Sequence, residues 1–352
     1  MSGTPPSGAS RRFGHVGIIL RTLAIAFAGA LAFLYAGLPL PFLLGSMFAC
    51  LVAALIGLAM RPPPVTGDLA RTVLGVAIGA SITPALLARL PQMGLTVALV
   101  PPFVALIGLV GYPYFRRVCG FDGPTSYFAA MPGGLQDMLA FGEEAGADVR
   151  ALSLIHATRV LVIVSVAPVI LSLGYGLSLD NPVGAPAAEI GLGQIMIMLV
   201  CAIAGWRLAR AVGLFGATIL GPMILAMAAS VSGLLTFRPP AEAILAAQFF
   251  IGLSVGVKYA GVTARELRVD ISASLGFCLI LAAISILFAE GVALAGLAPE
   301  VDAFLAFAPG GQAEMVVLAL VAGTDVAFVV AHHLVRIVTV ILGAPIVRRF
   351  LP

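Results

Sequence analysis

The sequence predicts an all-α integral membrane protein, with about ten transmembrane helices plus two re-entrant broken-helix hairpins, arranged as two inverted repeats. Three observations predict it: a very apolar composition, a ladder of membrane-length stretches, and one string of awkward residues written twice. Of 352 residues, 61% are hydrophobic and 10% charged, with a mean hydropathy of +1.12, far too apolar for a soluble chain of this length. Apolar stretches near the ~20 residues needed to cross ~30 Å of hydrocarbon run at 17–38, 40–60, 69–90, 93–115, 150–174, 191–212, 214–235, 242–262, 268–290 and 326–347. They read as helices because an open strand cannot satisfy its backbone in lipid.

The duplicated string is Pro132-Gly133-Gly134, Asp137, Met138, Asp148, His156, Arg159 and Pro168, recurring 177 residues later as Pro309-Gly310-Gly311, Glu314, Met315, Asp325, His333, Arg336 and Pro345. Gly75 and Gly79 recur in the same register as Gly252 and Gly256, and Leu44-Gly45 recurs as Leu220-Gly221 one position out. Such residues are costly inside apolar segments, so their repetition in phase marks a duplicated device. The organisation expected is a cytoplasmic, disordered tail over 1–16, repeat 1 over 17–175 with its re-entrant element at about 123–147, a linker over 176–190, and repeat 2 over 191–352 with its re-entrant element at about 301–323. Ser10-Arg11-Arg12-Phe13 before an apolar run could open an export signal, but Gly17 to Leu38 is long enough to span and aligns with the segment around 195–213.

Loop charges give the orientation. With Arg21, Arg159 and Arg336 set aside as lying within spans, sixteen basic residues remain. Ten spans and a cytoplasmic N-terminus put fourteen of them inside, leaving Arg89 and Arg238 outside; twelve spans split them nine to seven. The positive-inside rule favours ten, and an odd number of crossings per half makes the repeats antiparallel. Both termini are then cytoplasmic, in the inner membrane of a bacterium.

The net charge of +3 carries no nucleic-acid signature, because no basic run exceeds two residues and no soluble stretch is long enough for a reading module. Cys50, Cys119, Cys201 and Cys278 are scattered without metal or disulfide spacing. No closed four-ligand set of histidines and acids appears either, so neither a metal nor a cofactor is expected.

At Pro132-Gly133-Gly134 and Pro309-Gly310-Gly311 a helix must break, since proline removes a donor and glycine opens conformations closed to other residues. The half-helix that restarts presents unpaired N–H groups and a partial positive charge to any anion. Asp137 and Glu314 fall in its first turn, either as mere dipole partners or as the residues that take a coupling proton or sodium ion. Glu143 and Glu144 have no counterpart in the second copy and read as a solvated loop end.

His156 and Arg159 share one helix face, as do His333 and Arg336. A guanidinium near the bilayer centre needs a partner. Two readings stand side by side: ion pairs of Arg159 with Asp137 and Arg336 with Glu314, or forks that anchor a solute's carboxylate or phosphate. Gln136 and Gln312, one residue out of phase, would make the half-sites chemically unequal.

At these residues the chain resembles the AbrB-duplication membrane family, whose repeats carry P-G-G-x-x-[D/E]-M followed by H-x-x-R. The resemblance covers about 18 to 350 and implies a relation to the cation/proton antiporter and anion transporter superfamily, with inverted repeats and interrupted helices. Its members carry the labels putative ammonia monooxygenase and regulator of gene expression, which define the rival functions. A monooxygenase needs a redox metal or cofactor, for which the sequence offers no ligand cluster and no nucleotide fingerprint. A membrane regulator could act indirectly by sensing or exporting a small molecule. A secondary transporter, not an enzyme, accounts for the duplication, the breaks and the buried charges together. Its expected solute is small and anionic or zwitterionic, bound by Pro132, Gly133, Gly134, Gln136, His156, Arg159, Pro309, Gly310, Gly311, Gln312, His333 and Arg336. Its expected partners are that solute, a coupling proton or sodium ion at Asp137 and Glu314, the bilayer, and a second copy of the chain in a homodimer, with no nucleic acid.

Overall fold

The computed structural model describes residues 8–84, 90–179, 183–214 and 216–348. Among the described residues all regular structure is helical. The first half contributes α1 (Gly8–Tyr35), α2 (Ser46–Leu55), α3 (Thr66–Ser81), α4 (Val100–Pro113), α5 (Gly123–Ala130), α6 (Leu135–Glu144) and α7 (Val149–Val169). The second contributes α8 (Leu192–Ala211), α9 (Ala217–Val231), α10 (Ala241–Val257), α11 (Ser272–Leu294), α12 (Glu300–Phe307), α13 (Gln312–Ala322) and α14 (Val326–Arg348). In this numbering α1–α7 lie in the first half of the sequence and α8–α14 in the second.

Among the described residues, six helical stretches are long and apolar enough to cross a membrane: Val16–Tyr35, Pro91–Val118, Val149–Gly174, Leu192–Ala211, Ala264–Leu294 and Val326–Gly343. All six fall on expected spans. The expected spans at 40–60, 214–235 and 242–262 hold the shorter apolar helices Pro41–Leu55, Ala217–Val231 and Ala241–Val257. The span expected at 69–90 holds α3, with 85–89, including Arg89, outside the described residues. Helix α1 begins at Gly8, inside the stretch expected to be an irregular tail, because no proline follows Pro6 until the membrane run is complete.

The chain divides into two compact units that cut across the sequence repeats. The first comprises residues 1–71 and 242–262, and so takes α1, α2 and the first turn of α3 together with α10. Within it, Gly29 of α1 meets Gly45 so closely that a Cβ on either would run into the other's carbonyl oxygen. Helix α10 lies on α2 through Gly252 and Gly256, where a Cβ would collide with the carbonyl oxygens of Leu43 and Met47. Small residues one turn apart let backbones approach in this way where lipid offers no hydrophobic drive.

The second unit comprises residues 72–241 and 263–352. Here Gly75 and Gly79 of α3 press on the carbonyl oxygens of Ile219 and Met223 of α9, and Gly205 of α8 presses on Gly221. The glycine contacts therefore recur in both units, with the third helix of each half seated on the second helix of the other. The core of this unit is an aromatic cluster shared by α4, α5, α11 and α12, in which Phe103 meets Phe307 edge-on at 5.3 Å and Phe115 meets Phe277 at 4.8 Å. Around it run α7 and α14, which carry the His-Arg pairs.

Candidate functional site: two clamped helix breaks

Both Pro-Gly-Gly triplets interrupt helices as the sequence requires. Helix α5 ends at Ala130, Met131 turns extended (φ −67°, ψ 130°), and α6 restarts after the extended cap Gly134. In the second copy α12 ends at Phe307, Ala308 is extended (φ −63°, ψ 124°), and α13 restarts after Gly311. The pieces have 8 and 10 residues in the first copy and 8 and 11 in the second. At ~1.5 Å per residue no piece alone crosses ~30 Å.

A broken helix leaves carbonyl oxygens at the end of its first piece with no intrahelical donor. The His-Arg pair supplies those donors. Through Nε2, His156 of α7 donates to the Phe128 carbonyl at 3.1 Å, while Arg159 donates from Nη1 to Met131 and from Nη2 to Gly133, both at 3.0 Å. Helix α14 repeats this at the same sequence offsets: His333 to Leu305 at 2.9 Å, Arg336 Nη1 to Ala308 at 2.9 Å and Nη2 to Gly310 at 2.7 Å. A positive group at a helix C-terminus also opposes the partial negative charge there. The terminal nitrogens of both guanidinium groups thus go to the carbonyls of the break, a partner that the spacing of the motif did not suggest.

The carboxylates belong to the opposite lip. Asp137 and Glu314 each occupy the third position of the restarting helix, where a carboxylate can reach back to the N-terminal N–H groups. Glu314 is buried, and its carboxylate lies over Gly311, so that a Cβ on this glycine would strike Oε2. Asp137 is half-buried. The side chain of Gln136 lies outside the described residues, while Gln312 is buried with no partner for Nε2.

Both His-Arg pairs are buried: His156 and His333 are 0% exposed, Arg159 3% and Arg336 4%. Each arginine keeps a buried Nε without a hydrogen-bond partner, and each histidine a buried Nδ1. The two devices are neighbours, because Val340 of α14, one turn beyond Arg336, lies against Gly133 in the first break. Each break thus sets a half-helix N-terminus on one side and a clamping guanidinium on the other, groups of the kind that bind anions. Glu143 and Glu144, by contrast, are exposed at the end of α6.

Thr125, Asp302 and Asp122 also position the breaks but escape the identities of the repeat. Asp148 caps α7 by accepting from Ala151 N–H at 3.0 Å, and its own N–H donates to Thr125 Oγ1 of α5 at 2.8 Å. Asp122 completes the link by accepting from Thr125 N–H and from its hydroxyl. In the second copy Asp325 caps α14 by accepting from Ala327 and Phe328, and its N–H donates to Asp302 Oδ1 at 3.0 Å. Thr125 and Asp302 are in phase but unlike, so identity hides them; the recoverable signal is a short oxygen acceptor at the same place in both copies. His332 faces elsewhere, donating through Nδ1 to Phe328 at 2.7 Å. Among the described residues no group of three or more His, Cys, Asp or Glu could hold a metal ion.

Membrane-length apolar helices and two buried, clamped helix breaks define a polytopic membrane protein whose polar machinery is built into interrupted helices. The chain belongs to the family described as transition state regulatory protein AbrB, whose profile matches residues 42–352. It is similar to the uncharacterized protein YhjN of Bacillus subtilis (strain 168), 26% identical over 360 residues, covering 94% of this chain and 92% of that protein. It is equally similar to the putative regulator AbrB of Escherichia coli (strain K12), 26% identical over 332 residues, covering 92% of this chain and 93% of the relative.

Proposed function

We propose that the protein is a secondary transporter of the bacterial inner membrane, with inverted repeats and both termini cytoplasmic, that moves a small anionic or zwitterionic solute through the paired breaks. One observation carries the reading: a helix interruption with its carbonyl end clamped by His-Arg and a carboxylate on its N–H end occurs twice, and the two copies adjoin. Irregular backbone at membrane depth is tolerated where it lines a cavity or is covered by protein, and in transporters it forms the solute site.

The glycine contacts support the inversion. Gly75 then Gly79 meet Ile219 then Met223, so α3 and α9 run in the same direction. If consecutive spans alternate, α3 opposes α2, and α9, the counterpart of α2, opposes it as well. Gly252 then Gly256 meeting Leu43 then Met47 give α10 and α2 the same relation. Halves in parallel would have required both pairs to be antiparallel.

Charge balance supports a coupled cycle. Two buried arginines and two carboxylates flank the breaks, so an added anion is best accommodated when Asp137 or Glu314 takes up a proton or a sodium ion. Purified protein in liposomes, given carboxylates, amines or ammonium under an imposed proton or sodium gradient, tests this; the expected result is carboxylate flux that follows one of the gradients. A second reading, a membrane component that influences gene expression by sensing or exporting its solute, is favoured by the name of the Escherichia coli relative. It uses the same site, and a transport-dead variant that keeps a regulatory effect in cells would select it.

A further inference from the structure

The second unit contains a cavity of about 400 Å³ between α4, α5 and α14, within the ~300–1,000 Å³ typical of small-molecule sites. Its wall is almost wholly apolar: Val104 and Gly108 of α4, Tyr127 and Met131 at the end of α5, and Thr339 and Val340 of α14. Two of these residues belong to the first break as well. Met131 gives its carbonyl to Arg159 and turns its side chain toward Gly108, and Val340 touches Gly133. The cavity therefore reaches the residue whose carbonyl the Arg159 guanidinium holds. The corresponding place in the second copy is filled differently, with Ala308 in the position of Met131 and the ring of Phe304, in that of Tyr127, met by Tyr175 at 6.1 Å.

From this juxtaposition we propose that the solute is an amphipathic carboxylate, its head group at the breaks beside Arg159 and its apolar body in the cavity of α4, α5 and α14. The inference rests on the anion-site reading above and extends it. A polar site takes a small carboxylate by charge alone, whereas an adjoining apolar cavity rewards each added methylene until the chain outgrows it.

Calorimetric titration of the full chain in lipid nanodiscs with acetate, butanoate, hexanoate and octanoate tests it, with octanol as an uncharged probe. Affinity is expected to tighten roughly fourfold per added methylene. Ala105→Phe and Thr339→Leu, which narrow the cavity at residues outside the clamp, should flatten that slope and leave acetate binding unchanged. A slope that survives in both variants, or octanol binding equal to that of octanoate, overturns the proposal and makes the cavity a groove for lipid chains. Acetate binding with no chain-length gain overturns the cavity assignment alone, while the absence of binding by every carboxylate removes the anion-site reading with it.

Discussion

Arg336 donates from Nη2 to the carbonyl oxygen of Gly310 at 2.7 Å, fixing the exit of one broken helix from the middle of another. Its counterpart Arg159 does the same to Gly133 at 3.0 Å, with an identical separation in sequence. Neither arginine is therefore a free anchor that waits for solute. Each holds the interruption open through one N–H of each terminal nitrogen and keeps a buried Nε without a partner.

Removing a clamp should cost more than a surface charge would. Arg336→Met leaves the Ala308 and Gly310 carbonyls buried and unpaired, at about 1–3 kcal/mol each. Arg336→Lys should recover little, since one ammonium cannot reproduce the two-pronged contact. Thermal unfolding in detergent checks this, and a lysine variant as stable as wild type would contradict it.

The glycine contacts predict a position-specific intolerance. Gly252→Ala places a methyl group against the backbone carbonyl of Leu43, which cannot swing aside, and should destabilise by roughly 1–3 kcal/mol. Gly193→Ala in α8 meets nothing within 4 Å and should be neutral or slightly stabilising. Paired melting curves would show whether the two substitutions separate in this way.

Thr125 and Asp302 should be interchangeable in role. Each presents an oxygen to the N–H of the aspartate that caps the next long helix, so Thr125→Val and Asp302→Leu should each cost about 1–2 kcal/mol, whereas Asp302→Thr retains an acceptor and costs less. Equal losses for Asp302→Thr and Asp302→Leu would show that the hydrogen bond is unimportant.

A cysteine introduced beside Arg207 should react with membrane-impermeant reagents only from the cytoplasmic face. Labelling from outside would make the halves parallel and remove the shared site. Metal analysis of the same preparation addresses the oxygenase label, because copper or iron in stoichiometric amount would overturn the transporter reading.

Much of this architecture is legible in the sequence because costly residues announce themselves. Proline and paired glycines broke both helices where they had to, and six membrane-length helices lie on runs visible from hydropathy alone. The clamp was not legible. An arginine's spacing from a carboxylate suggests an ion pair, whereas the carbonyls freed by a break are invisible in a sequence, since every residue carries one. The exchange of helices between the two compact units was hidden for a similar reason: Gly75 and Gly252 show that a backbone comes close without saying which one.

The central claim, that the two breaks form one anion-translocating site, is tested most directly by carboxylate uptake into proteoliposomes under an imposed proton or sodium gradient. The account predicts uptake above that of protein-free liposomes, abolished or uncoupled from the gradient by Asp137→Asn and Glu314→Gln. Uptake indistinguishable from protein-free liposomes for every carboxylate, or uptake and coupling unchanged in both variants, would contradict it.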